Sequence, residues 1–483
     1  MKQIINKSIK NPIVLYLLSR YIVFGIQFIT QIILIKRMGQ YNFGIWGIIL
    51  LWVSIGLTIN FGINSCAEVL LVKKEAEREE IIICTSIILN LLLISIPLLF
   101  VILSQVLEIA YVKKYNLGNL IYYIPVITIF FHLNNLFALI QRIKNQYFLY
   151  TLFQSLFPLA CFCISFFGKD RVLLVELVNI YLISGLLLCF IGLYYNRSCL
   201  KIQFISSGIA KELFKRGFFL FIYSSGYLLI MLTTKFIISY YYKVEEFGAF
   251  VFALQFGNAA MLLINSFLGL IQPKLIEMMS MKDPLALTIY IKRIHTIYST
   301  TVSLLVYMII FAGSLFIRFF LKQRTSEFAL IMILLTLLTN SIVCPYNIYL
   351  IAQKKEKTIA RITFVTCILN CILLLCLVHI LNLSYEFVIL GTLLSYLFYV
   401  VATIYAAACN IKKIRLIKCF SIAYPLRLFI PFVTALIISF LKIQSLLFIP
   451  LLLMIICNIR EIVEVLNKVK TIIEKPAIFE LNS

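Results

Sequence analysis

The chain is 483 residues long, 62% hydrophobic and 14% aromatic, yet only 13% charged, and it carries a formal net charge of +23. A soluble domain devotes about a quarter of its residues to charge, and a disordered one holds far less apolar material, so both classes are excluded. What remains is an all-helical polytopic membrane protein, because only helices or closed barrels satisfy the backbone in lipid and the apolar runs here are long and continuous.

A membrane helix needs about 20 mostly apolar residues. Fourteen such runs start near residues 13, 43, 81, 119, 148, 172, 217, 246, 295, 327, 359, 385, 426 and 445. The first follows Lys2, Lys7 and Lys10 and extends from Ile13 to Ile35 without a small-residue cleavage site, so it reads as an uncleaved span. Within it Arg20, Gln27 and Gln31 fall on one face. Arg20 either snorkels to the interface or faces a cavity, and the two glutamines that continue its stripe favour the cavity. Span two closes on Asn60 and Asn64, paired at i, i+4.

His132 in span four and His379 in span eleven read as packed groups or coupling candidates, whereas His295 reads as interfacial. Lys235 lies toward the far end of span seven, with Ser224 and Ser239 on its face, and both snorkelling and cavity lining are open to it. Span eight repeats Asn258, Asn265 and Gln272 every seven residues, with Gln255 nearby, and span ten carries Asn340 and Asn347. Interhelical hydrogen bonds, about 0.6 kcal/mol each, are the plain reading of such stripes. A hydrophilic central cleft is the functional one.

With the N-terminus inside, 30 Lys and Arg fall on the cytoplasmic side against 11 on the other, which places both termini in the cytoplasm. These charges sit in short loops and anchor spans; they do not form a nucleic-acid surface. Asp170 and Asp283 lie in loops, and of the glutamates only Glu176 reaches into a span. A cleft holding Arg20 and Lys235 without an acid expects an anionic cargo, for which Asn and Gln supply hydroxyl contacts. Thirteen cysteines lie scattered in apolar runs without a C-x-x-C pair and read as small buried hydrophobes. No phosphate-binding, zinc or nucleophile motif is present, so no cofactor, metal or catalytic residue is expected and the chain does not read as an enzyme.

One self-similarity organises the chain. Met38-Gly39-Gln40-Tyr41-Asn42-Phe43-Gly44-Ile45-Trp46 leads into span two, and Tyr242-Lys243-Val244-Glu245-Glu246-Phe247-Gly248-Ala249-Phe250 leads into span eight, 204 residues later. The glycine is expected to permit the reversal between spans. Six spans per copy predict two parallel lobes, 1–205 and 206–420, followed by two extra helices and a tail in 421–483, with substrate between the halves.

The Phe-Gly turn, the Asn60-Phe61-Gly62-Ile63-Asn64-Ser65 close of span two and the second copy's Gln272-Pro273-Lys274-Leu275 resemble the polysaccharide flippases of the MOP exporter superfamily, the Wzx-type O-antigen and capsule flippases. That resemblance implies a cargo of undecaprenyl-pyrophosphate type, a lipid-linked oligosaccharide, moved across the bacterial inner membrane by alternating access. Membrane lipids, a polysaccharide polymerase and chain-length proteins are the implied partners, and nucleic acid is not. Substrate-binding roles then fall to Arg20, Gln27, Gln31, Asn60, Asn64, Lys235, Gln255, Asn258 and Asn265. A multidrug or metabolite exporter of the same superfamily and a membrane polysaccharide polymerase are the rival readings.

Overall fold

A helix of 47 residues would be about 70 Å long, more than twice the hydrocarbon thickness of a bilayer. The first helical element, α1 (Pro12–Thr58), has that length and is broken once, at Gly39 (φ 70°, ψ 172°). This is backbone that only glycine adopts without strain. Spans one and two are therefore the two arms of α1. The computed structural model describes residues 12–464 apart from 59, 73–78, 94, 107–109, 145, 171, 198–205, 281–283, 319–323 and 410–415, and for some helical residues, Arg20 and Asn265 among them, the backbone alone.

After α1 come α2 (Ile63–Val72), α3 (Glu79–Leu92), α4 (Ser95–Val106) and α5 (Ala110–Tyr115), then a 3-10 turn at Gly118–Tyr122. They are followed by α6 (Tyr123–Ile143), α7 (Tyr147–Phe167), α8 (Leu173–Tyr195), α9 (Ser207–Tyr241) and α10 (Val244–Ser280). The remainder is α11 (Pro284–Phe316), α12 (Arg324–Ile342), α13 (Cys344–Ala352), α14 (Glu356–His379), α15 (Tyr385–Cys409), α16 (Leu416–Ala423), α17 (Leu426–Phe440) and α18 (Phe448–Cys457). No strand occurs among the described residues, and the fourteen predicted starts all fall on or beside helical segments. Nine helical stretches among the described residues are long and apolar enough to cross a membrane, and three shorter apolar helices lie at spans seven, thirteen and fourteen. The chain is an all-α polytopic membrane protein.

Two compact units, Met1–Ala259 and Ala260–Ser483, divide the chain. In the first, α1 packs against α6, α7 and α8, while α9 lies along α1, α2 and α3. The unit thus holds 1–205 together with α9 and the opening turns of α10. Arg37 caps α7: its guanidinium donates to the carbonyls of Ser165 (2.6 Å), Phe166 (3.1 Å) and Gly168 (2.6 Å) and to Asp170 Oδ1 (2.6 Å). Those carbonyls are the helix-end acceptors that have no partner within the helix, and a cation suits that end of the dipole.

In the second unit the stretch Glu327–Ala352 has 89% of its apolar window buried, against 22% for Glu356–His379, so α12 is central and α14 peripheral. The expectation that no carboxylate other than Glu176 enters a span is corrected here. Glu327, in the first turn of α12, is fully buried and accepts a hydrogen bond from the Ser314 hydroxyl. Its position at the edge of an apolar run reads as a loop anchor, yet the mutually packed rings of Phe328, Phe387 and Phe440 enclose that edge.

Candidate functional site

The two Phe-Gly copies meet. Gly44 and Gly248 are both buried within helices, and a Cβ on Gly44 would overlap the carbonyl oxygen of Val244, whereas one on Gly248 would overlap that of Gln40. Each glycine faces the residue four positions before the other, so the contact is reciprocal under the 204-residue offset. Gly47 extends it against Val251, 204 residues on, at 2.7 Å from a built Cβ. Phe43, Phe247, Trp46 and Phe250 are all buried around this seam. The expected role of the glycine changes accordingly. The reversal occurs at Gly39, and Gly44 is helical and present because two backbones touch there.

A second backbone contact lies further along. At the break between α1 and α2, Phe61 (φ 47°) and Gly62 (φ 76°) turn the chain. A Cβ on Gly217 of α9 would stand 3.0 Å from the carbonyl oxygens of both Phe61 and Gly62. Along α1 and α9, a cavity of about 280 Å³ sits between these two contacts. Ser54, Leu57 and Thr58 line it from α1, Leu228, Met231, Leu232 and Lys235 from α9, and Leu254 and Asn258 from α10.

The chemistry of this lining is asymmetric. Ser54 and Thr58 donate their hydroxyl hydrogens to the carbonyls of Leu50 and Ile55, both at 2.6 Å, so their oxygens keep acceptor capacity only. Asn258 brings an amide that both donates and accepts. Lys235 is the single charged residue of the lining. None of the described residues provides it with an ion-pair or hydrogen-bond partner. An ammonium placed among Leu and Met side chains without a counter-charge is costly in a membrane, and a bound anion would remove that cost.

The structure therefore brings Lys235 and Asn258 together and places Asn60 and Asn64 elsewhere. The Asn60 amide donates to Asn90 Oδ1 (2.7 Å) and to His132 Nδ1 (3.2 Å), and its oxygen accepts from the Asn64 backbone N–H (3.2 Å). Asn64 Nδ2 donates to the His132 carbonyl (3.2 Å), and Asn90 Nδ2 donates to Asn64 Oδ1 (2.9 Å) and to the Ser86 carbonyl (2.8 Å). His132 Nε2 lies 3.1 Å from the Gly56 carbonyl. These bonds require the neutral imidazole, with its proton on Nε2. The i, i+4 spacing of Asn60 and Asn64 was visible in the sequence; Asn90, a lone asparagine in an apolar run, is the partner that sequence reasoning missed.

Gln27 and Gln31 are half-buried on the first arm of α1, beside the Phe28 ring that packs on Phe256 of α10 at 4.5 Å. The Gln31 side-chain oxygen is enclosed without a hydrogen-bond partner among the described residues. Gln255 is half-buried one turn from Asn258. The side chains of Arg20 and Asn265 lie outside the described residues.

The comparisons agree with this architecture. The family model described as polysaccharide biosynthesis protein matches residues 9–279. No curated protein matches the chain. Among solved structures, an inward-facing multidrug resistance MATE family transporter of the MOP superfamily superposes with a TM-score of 0.59 at 12% identity, covering 82% of this chain and 98% of that one. The lipid II flippase MurJ, in an inward closed conformation, gives a TM-score of 0.56 at 15% identity, covering 93% of this chain and 98% of its own. At these identities the two structures share the fold.

Proposed function

The chain belongs to the polysaccharide biosynthesis protein family, and from that premise we propose that it is a flippase for a polyprenyl-pyrophosphate-linked oligosaccharide. It carries the repeat unit from the cytoplasmic to the outer leaflet of the bacterial inner membrane, for O-antigen or capsular polysaccharide assembly. Both termini are cytoplasmic in this reading. Lobes 1–205 and 206–420 rock against one another, with 421–483 as an appended helix pair and tail, and a polymerase and chain-length proteins act on the product.

One observation supports the anionic cargo above all: Lys235 stands without a counter-charge among the described residues, in a cavity otherwise lined by hydroxyl-bearing, amide and apolar side chains. Pyrophosphate supplies the missing charge, and Asn258 with the glutamines of α1 supplies sugar contacts. Arg20, on the same arm as Gln27 and Gln31, is the second cation assigned to the phosphates.

Complementation of a flippase-deficient strain tests this, with wild type, Lys235→Ala, Lys235→Arg, Arg20→Ala and Arg20→Lys at matched protein levels. Lipid-linked single repeat units should accumulate on the inner leaflet with Lys235→Ala. Their accumulation on the outer leaflet would instead identify a polymerase, and unchanged glycan export with altered drug resistance would identify a drug exporter.

A further inference from the structure

More than packing holds the turn between α9 and α10. The last carbonyls of α9 have no partner within the helix, and Lys114 of α5, 125 residues before Ser239, supplies one. Its Nζ donates to the carbonyls of Ser239 (2.6 Å), Tyr240 (2.9 Å) and Tyr242. The adjoining Tyr115 hydroxyl donates to the Ser239 carbonyl at 2.8 Å, and the Tyr115 ring meets Phe247 edge-on at 6.1 Å. Glu246 adds a carboxylate nearby, which accepts from the Lys243 backbone N–H at 2.9 Å. Burial lowers the Lys114 ammonium below the ordinary lysine range, and Glu246 opposes that shift.

At the Gly44–Gly248 seam beside this turn the nearest approach is backbone on backbone, flanked by the short apolar side chains of Val244 and Val251. Lys114 can withdraw: its charge sits on a flexible stem, and its three acceptors lie in the second copy of the repeat while it lies in the first. We infer that Lys114 is a positioning residue, a releasable clasp that keeps the α9–α10 turn seated on α1 and so closes the Lys235 cavity at the Gly44 end. The importance of that closure rests on the cavity's proposed transport role, whereas the clasp itself is a property of the chain without cargo.

Hydrogen–deuterium exchange on the full chain in lipid nanodiscs tests it, without any substrate. A charge-assisted bond of this kind corresponds to about a tenfold or larger change in a local opening equilibrium. In Lys114→Met, exchange should rise by about that factor both at 240–250 and across the seam at 40–48, and Lys114→Arg should stay near wild type. A rise confined to the last turn of α9, or no rise, would overturn the inference and leave an ordinary helix cap. Should Lys114→Met fail to fold, Tyr115→Phe deletes one hydroxyl only. It should raise exchange in both segments by about threefold, and a change in neither would likewise overturn the inference. A wrong cargo assignment would leave every one of these outcomes unaltered.

Discussion

Gly44 and Gly248 hold one another in place by the same contact made twice: each lies against the carbonyl of the residue four positions ahead of its counterpart. Substitution at either site should therefore cost similar amounts, because the obstruction is backbone and cannot rotate aside. Gly44→Ala and Gly248→Ala should each destabilise the chain by about 1–3 kcal/mol. Gly25 is the control. A Cβ there meets nothing within 4 Å, and Gly25→Ala should be neutral or stabilising by up to about 1 kcal/mol. Thermal unfolding in detergent compares the three, and equal melting temperatures would contradict the reciprocal contact.

Lys235 gives the opposite sign for stability and activity. Replacing an ammonium that lacks a counter-charge among the described residues with an apolar group of similar length removes a desolvation cost. Lys235→Met should raise the melting temperature by about 2 °C or more while abolishing glycan export. A variant that loses export by unfolding, with a lowered melting temperature, would refute this account of the site.

The Asn60–Asn64–Asn90–His132 ring of hydrogen bonds should behave as a unit. Asn90→Leu strands the Asn64 oxygen and leaves the Asn60 amide with His132 alone, at about 1–3 kcal/mol for a group left unpaired. Asn60→Ala combined with Asn90→Ala should cost less than the two singles added together, by more than about 0.5 kcal/mol. Strict additivity in chemical unfolding would show that the network is not cooperative.

At the α7 cap, Arg37 should matter more than its acidic partner. Asp170 has 66% of its side chain exposed, against 24% for Arg37, and an exposed ion pair contributes about 0–1 kcal/mol. Three carbonyls depend on Arg37 as well. Asp170→Asn should be nearly silent in thermal unfolding, and Arg37→Leu clearly destabilising.

The architecture was legible because lipid imposes it. The apolar runs and the fourteen starts follow from the bilayer, and the helices stand where the runs are; the 204-residue offset pointed to two segments that are in contact. The site was legible only in part. Asn60 and Asn64 announce a polar stripe, but whether a stripe faces cargo or another helix depends on partners such as Asn90 and His132, which approach from other spans. Lys235 showed a charge within a span, and its lack of a counter-charge among the described residues emerged only from packing. Lys114 looks like every other loop lysine, because the carbonyls it serves lie more than a hundred residues away. Glu327 fell at the boundary of a run, where hydropathy cannot separate an enclosed turn from a solvated one.

The Gly44–Gly248 seam is isologous, as in a two-fold dimer whose subunits present the same patch to each other. Here both patches belong to one polypeptide, so covalent linkage makes their pairing intramolecular. Bringing them together therefore carries none of the cost of associating two separate molecules. Whenever they part, the covalent link keeps them near enough to meet again.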